Sequence, residues 1–93
     1  MRIVYLESAE ADLHWFKRYY TQVFPEGRKK ADAQFLHTQQ LLRENPMMGH
    51  LVEDIPGVRE HHVTRTPFSF VYRLRGDRIE VLRVMDKRAG RGL

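Results

Sequence analysis

The chain contains no cysteine, so disulfide frameworks, thiolate metal sites and cysteine nucleophiles are excluded, and a reducing compartment, the cytoplasm, is the default expectation. Long apolar runs are missing too. Met1-Arg2-Ile3-Val4-Tyr5-Leu6 is stopped by Glu7, and no segment approaches the roughly 20 apolar residues of a membrane span. The expectation is a protein neither exported nor anchored. Glycine-rich phosphate loops, serine-nucleophile motifs and HExxH spacing do not occur, so neither a cofactor nor a metal is expected. Only four prolines and six glycines are present, and several mark boundaries: Pro25-Glu26-Gly27, Asn45-Pro46, Pro56-Gly57 and Gly76-Asp77.

What is there suits one domain over residues 1–93, with 42% hydrophobic residues to fill a single core. Arg2-Ile3-Val4-Tyr5-Leu6, apolar at four successive positions, predicts a strand covered on both faces rather than an edge. Ser8 reads as an N-cap, with Glu10 and Asp12 in the first turn of a helix starting at Ala9. Ala9, Leu13, Phe16, Tyr20 and Val23 recur at helical spacing and predict one buried stripe. Ala31, Phe35, Thr38 and Leu42 resume that spacing until Asn45-Pro46 ends a second, antiparallel helix. Three strands are expected near 58–64, 68–75 and 78–84, the last two joined by a tight turn at Arg75-Gly76-Asp77-Arg78. The fold class is therefore α+β: an N-terminal strand, a two-helix hairpin, then a three-stranded antiparallel meander.

Charge is uneven. Residues 1–56 hold seven Lys/Arg against eight Asp/Glu, whereas 57–93 hold nine against four, which makes the C-terminal part a candidate surface for an anionic partner. Period-two alternation puts Ile79, Val81 and Arg83 on one face of the last strand. Arg73 and Arg75 share a face with Ser69 and Val71, and a matching register would join them to Arg83 in a basic stripe. Glu60-His61-His62 invites a catalytic reading, but adjacent strand residues point to opposite faces and cannot both ligate one ion. His14, His37 and His50 read as surface residues. Metal-free RNA cleavage needs only a base, an acid and positive charge on the phosphate, which Glu60, His61 or His62 with Arg59, Arg73, Arg83 or Arg88 could supply. Residue content alone favours a charged binding surface over an active site. Trp15 and Tyr19, one turn apart beside the core stripe, and Leu36, off the stripe of the second helix, are candidates for a partner-binding patch, although Trp15 and Tyr19 equally suit the edge of the core.

The opening strand, the helix start from Ala9 to Leu13, the Asn45-Pro46-Met47-Met48-Gly49 loop and the Gly57 to Arg88 meander, in that order, resemble the RelE/ParE toxins. The resemblance implies a small cytoplasmic toxin of a type II toxin–antitoxin pair. It would be neutralised by a cognate antitoxin, ParD-like or similar, covering the patch of Trp15, Tyr19 and Leu36. RelE-type ribosome-dependent mRNA endonucleases commonly carry an arginine three residues before the middle-strand tyrosine, where this chain has Ser69 before Tyr72. Thr66 to Leu74 instead resembles the middle strand of ParE-type toxins, which act on DNA gyrase. The resemblance thus implies a gyrase-inhibiting toxin that is not itself an enzyme, meeting its target or the DNA through Arg73, Arg83, Lys87, Arg88 and Arg91. Arg59, beside Gly57, reads equally as structural. The alternatives are an RNA interferase acting at the ribosome on mRNA through Glu60, His61 and Arg88, and a non-toxic antitoxin-binding module, to which Asp86 points because many relatives have histidine there.

Overall fold

A computed structural model describes residues 1–89. Strand β1 (Arg2–Tyr5) is followed by a 3-10 turn at Glu7–Ala9 and helix α1 (Glu10–Arg18), which widens into a π-turn at Tyr19–Val23. A second 3-10 turn, Pro25–Gly27, leads into α2 (Arg28–Glu44), and the chain then forms β2 (His50–Leu51), β3 (Val58–His62), β4 (Phe68–Arg75), β5 (Arg78–Asp86) and a last 3-10 turn at Lys87–Ala89. The five strands make one sheet in the order β1-β5-β4-β3-β2, with β1 parallel to β5 and the other pairs antiparallel. The α+β order expected from sequence is present, with β2 as an addition too short to leave a periodic signal.

The helical hairpin covers one face of this sheet. Phe68, Phe70 and Tyr72 alternate inward from β4, Ile79, Val81 and Val84 meet them from β5, and Phe16, Tyr20, Ala31 and Leu42 close the core from the helices. The opposite face holds a smaller apolar cluster of Val58, Val71 and Met85, with Val52 and Leu82 against it. Gly76, at φ 62°, occupies the first position of the two-residue turn joining β4 to β5, where only a residue tolerant of positive φ fits. Gly49 is fixed by crowding instead: a Cβ there would lie 2.6 Å from the Tyr72 hydroxyl and 2.9 Å from the Glu60 carbonyl.

Three local expectations are corrected. β1 is an edge strand, with Arg2 exposed and Ile3 to Tyr5 half-buried. Its apolar run reflects parallel pairing with β5 and packing of Ile3 and Tyr5 on the core, not cover on both faces. Val23 is 58% exposed, because the π-turn adds a residue to the last turn of the hairpin's first arm, and the Phe24 amide bonds to the Tyr19 carbonyl. The stripe therefore stops at Tyr20. Ser8 does not cap the first helix. It lies in the 3-10 turn, and its hydroxyl donates to the Leu82 carbonyl at 2.7 Å.

Candidate functional site

Ser8 is one of three groups that finish the β5 edge where β1 runs out. Leu6 donates its amide to Val81 O, Ser8 donates its hydroxyl to Leu82 O, and Asp12 accepts the Val84 amide at 2.9 Å. Side chains from the start of the helix thus replace the missing strand, since an unpaired backbone group at a partly buried edge is costly. The register slips here: Val71 pairs with Arg83 and Tyr72 with Val81, so Leu82 is the extra residue of a β-bulge. Leu82 packs on the outer cluster, while Arg83 reaches Asp12 with a two-pronged contact at 2.7 and 3.1 Å. That contact raises the Arg83 pKa further.

Arg73 lies opposite Glu80, not Arg83, and donates to its carboxylate at 2.8 Å, while Arg78 reaches the other oxygen at 2.6 Å. The Glu80 pKa is lowered, chiefly by the Arg73 hydrogen bond. Lys87 sits 2.8 Å from Glu60 on the outer face of the sheet. Arg88 binds Asp86 through both its Nε and a terminal nitrogen, donates to the Tyr19 hydroxyl at 2.7 Å and lies over the Tyr19 ring. Trp15 Nε1 donates to the same Asp86 at 3.0 Å. Arg88 above all, aided by Trp15, holds the Asp86 carboxyl down at about 2. The expected basic stripe of Arg73, Arg75 and Arg83 is accordingly interrupted by Glu80 and by the turn of Arg83 toward Asp12. Arg91 lies outside the described residues.

The residues singled out for a partner surface fall in two places. Trp15 and Tyr19 are partly buried and join the Asp86–Arg88 cluster, so they share one site with a residue that sequence assigned to the target. Leu36 is 61% exposed and stands on a groove of about 400 Å³ between the helices, with Leu13, Phe16, Phe35, Lys17 and Arg28. The candidate nuclease set is dispersed. Glu60 pairs with Val71 on the outer face, His61 pairs with Phe70 on the helix-facing side, and Arg88 is held by Asp86 and Tyr19. Burial, with His62 and His50 adding to it, keeps His61 below the ordinary histidine pKa. His62 contacts the Thr66 carbonyl at 2.6 Å. Among the described residues no cluster of three or more His, Asp or Glu could hold a metal ion. Arg59 clamps the 46–49 loop through the Met47 and Gly49 carbonyls at 3.1 and 2.8 Å.

Residues 3–89 match the sequence model of the ParE toxin of the type II toxin–antitoxin system parDE. The chain belongs to the ParE toxin family. No curated protein sequence matches it. Among solved structures, a chain of the chromosomal ParDE toxin–antitoxin system from P. aeruginosa is similar at 28% identity and a TM-score of 0.71, covering 92% of this chain and 95% of that one. The E. coli DinJ–YafQ complex (18% identity, TM-score 0.67) and YafQ from E. coli strain BL21(DE3) (18%, 0.66) each align over 99% of this chain and 100% of theirs, a likeness of fold. Ser69, the departure from the RelE pattern, is buried opposite Met85 on the outer face of this ParE-family sheet. Sequence reasoning missed Asp12 and Asp86 as partners of Arg83 and Arg88. For Asp86 the signal was present in the Asp86-Lys87-Arg88 spacing. For Asp12, 71 residues from Arg83, it was not.

Proposed function

We propose that this ParE-family chain is a cytoplasmic toxin that binds DNA gyrase, holds it in its DNA-cleaved state and so blocks replication until a cognate antitoxin covers it. The observation that carries this reading is the family match over 3–89, which takes in the hairpin, the sheet and the Asp86–Arg88 cluster. The inter-helix groove supports an antitoxin seat. Its walls are apolar, its rim carries Lys17 and Arg28 with Asp32 beside the latter, and Leu36 projects at its edge, which suits an amphipathic helix. Trp15 and Tyr19 extend that surface toward Arg88. Among the candidate target contacts, Lys87 and Arg88 at the end of the sheet, each 46% exposed beyond its pairing with Glu60 or Asp86, are our choice for meeting gyrase. Arg73 and Arg83 act mainly by holding β4, β5 and α1 together.

The dispersal of Glu60, His61 and Arg88 argues against the interferase alternative. The test is incubation of the purified chain with gyrase, ATP and relaxed plasmid, followed by denaturation of the protein. Linear DNA should accumulate, and in cells labelled thymidine incorporation should fall before methionine incorporation. Unchanged gyrase turnover, with methionine incorporation falling first, overturns the reading.

A further inference from the structure

A second group of cations lies at the turn end of the helical hairpin, beside the β3–β4 loop and close to the end of β5, where the Lys87 amide donates to the Pro67 carbonyl. Lys17 and Arg18 at the end of α1, Arg28, Lys29 and Lys30 at the start of α2, and Arg65 from the β3–β4 loop gather there. Three adjoining concavities connect all of them but Lys29, which lies between Arg28 and Lys30 in sequence. Lys17 lines both the groove holding Arg18 and the one holding Arg28, and Tyr20 links the latter to the groove of Lys30 and Arg65. Two carboxylates face this surface. Asp32 is a loose 3.8 Å from Arg28 with both side chains more than half exposed, and Glu26 makes no ion pair among the described residues. The surplus of four cations equals the net charge of the whole chain, +4.

Local stability does not account for this arrangement. Lys17 and Arg18 do suit the C-terminal end of their helix. Arg28, Lys29 and Lys30, however, open a 17-residue helix with no side-chain cap at Gly27, and against these three cations the start of the helical run offers one acid, Glu26, in the 3-10 turn that leads into it. Positive charge near a helix start opposes the helix dipole, and Glu26 with the loose Arg28–Asp32 contact offsets it only in part. A bound anion would relieve the conflict. Gln22, beside Lys17 and Arg18, adds a neutral donor of the kind that phosphate contacts also use, while the Thr21 hydroxyl donates to the carbonyls of its own helix. Tyr20 is buried, and Phe24, 44% exposed with its ring against Gly27, is the one aromatic side chain of this surface open to solvent, so the density of cations rather than an aromatic platform dominates it.

The geometry points to the turn end of the helical hairpin as a binding surface for the phosphate backbone of duplex DNA. This stands apart from the gyrase reading, because it requires binding by the chain alone. It also makes Lys17 and Arg28 shared property of the DNA surface and of the groove proposed for the antitoxin, so an antitoxin seated there would mask part of it.

The test is fluorescence anisotropy with a 20-base-pair duplex of arbitrary sequence and no gyrase present. With about four phosphate contacts, affinity should fall on the order of 100-fold between 50 and 200 mM salt. Lys17→Glu with Lys30→Glu should weaken binding at least 10-fold and lower the salt slope by about 2, with circular dichroism confirming the fold. Arg75→Ala, an exposed cation at the far turn of the sheet, should leave binding unchanged. Absence of salt-dependent binding overturns the inference. So does loss of binding in Arg75→Ala rather than in the hairpin variant, or tighter binding of a single-stranded RNA of equal length. Because gyrase is absent, failure here leaves the gyrase result to stand or fall on its own assay.

Discussion

At the end of the sheet, Arg73, Arg83, Lys87 and Arg88 each stand 2.7–2.8 Å from a carboxylate, whereas at the turn end of the hairpin Lys17, Arg18, Lys29, Lys30 and Arg65 make no ion pair among the described residues. The paired cations are themselves 36–46% exposed, but their partners Glu80, Asp12, Glu60 and Asp86 are only 4–16% exposed. Exposed ion pairs contribute little, while a shielded carboxylate needs its counterion. The arginines of the meander therefore serve the acids beneath them, whereas the cations at the hairpin turn hold no shielded acid: Arg18 lies over the Trp15 ring and Arg28 has only its loose contact with Asp32. Positive charge counted along a chain is not positive charge available to a partner.

The largest expected effect in the paired region is at Asp12, which serves both Arg83 and the Val84 amide. Asp12→Ala should cost about 2–3 kcal/mol in urea unfolding, since it leaves a backbone donor and a guanidinium without their acceptor. Trp15→Phe removes one hydrogen bond to Asp86 and keeps most of the ring, so a loss of about 1 kcal/mol is expected. Asp86 sharpens the comparison through pH. Its folded pKa of about 2 lies below the usual carboxylate value, so its contribution is present above pH ~4 and is lost as pH falls through about 2. Acid titration of Asp86→Asn should accordingly show a shallower decline between those limits than the unmodified chain. An unaltered acid limb would show that the Arg88 pair adds nothing to stability.

The order of elements was legible because periodicity and turn residues are local. Tyr20 and Leu42 are buried as their helical spacing required, and Pro56-Gly57 and Gly76-Asp77 turn the chain where expected. What escaped was non-local or one residue out of phase. The π-turn exposes Val23 without altering the identity of any residue on the stripe, and the bulge at Leu82 redirects Arg83 to a helix 71 residues away in sequence. Ser8 and Asp12 look like cap and first-turn residues, yet they complete a strand edge. The candidate site was visible as arginines in a meander. Which of them were already spoken for depended on acids from α1, β3 and β5 that only the register brings near. The cluster at the hairpin turn could have been suspected from Arg28-Lys29-Lys30 near the start of a helix, where acidic residues are favoured.

The most direct test of the contrast is urea unfolding of Arg83→Ala and Lys30→Ala side by side at neutral pH and low salt. Arg83→Ala should lose about 1–2 kcal/mol, whereas Lys30→Ala should be unchanged or gain a few tenths of a kcal/mol, roughly the penalty for a cation at a helix start. Equal losses, or a larger loss at Lys30, would contradict the division between structural and available charge.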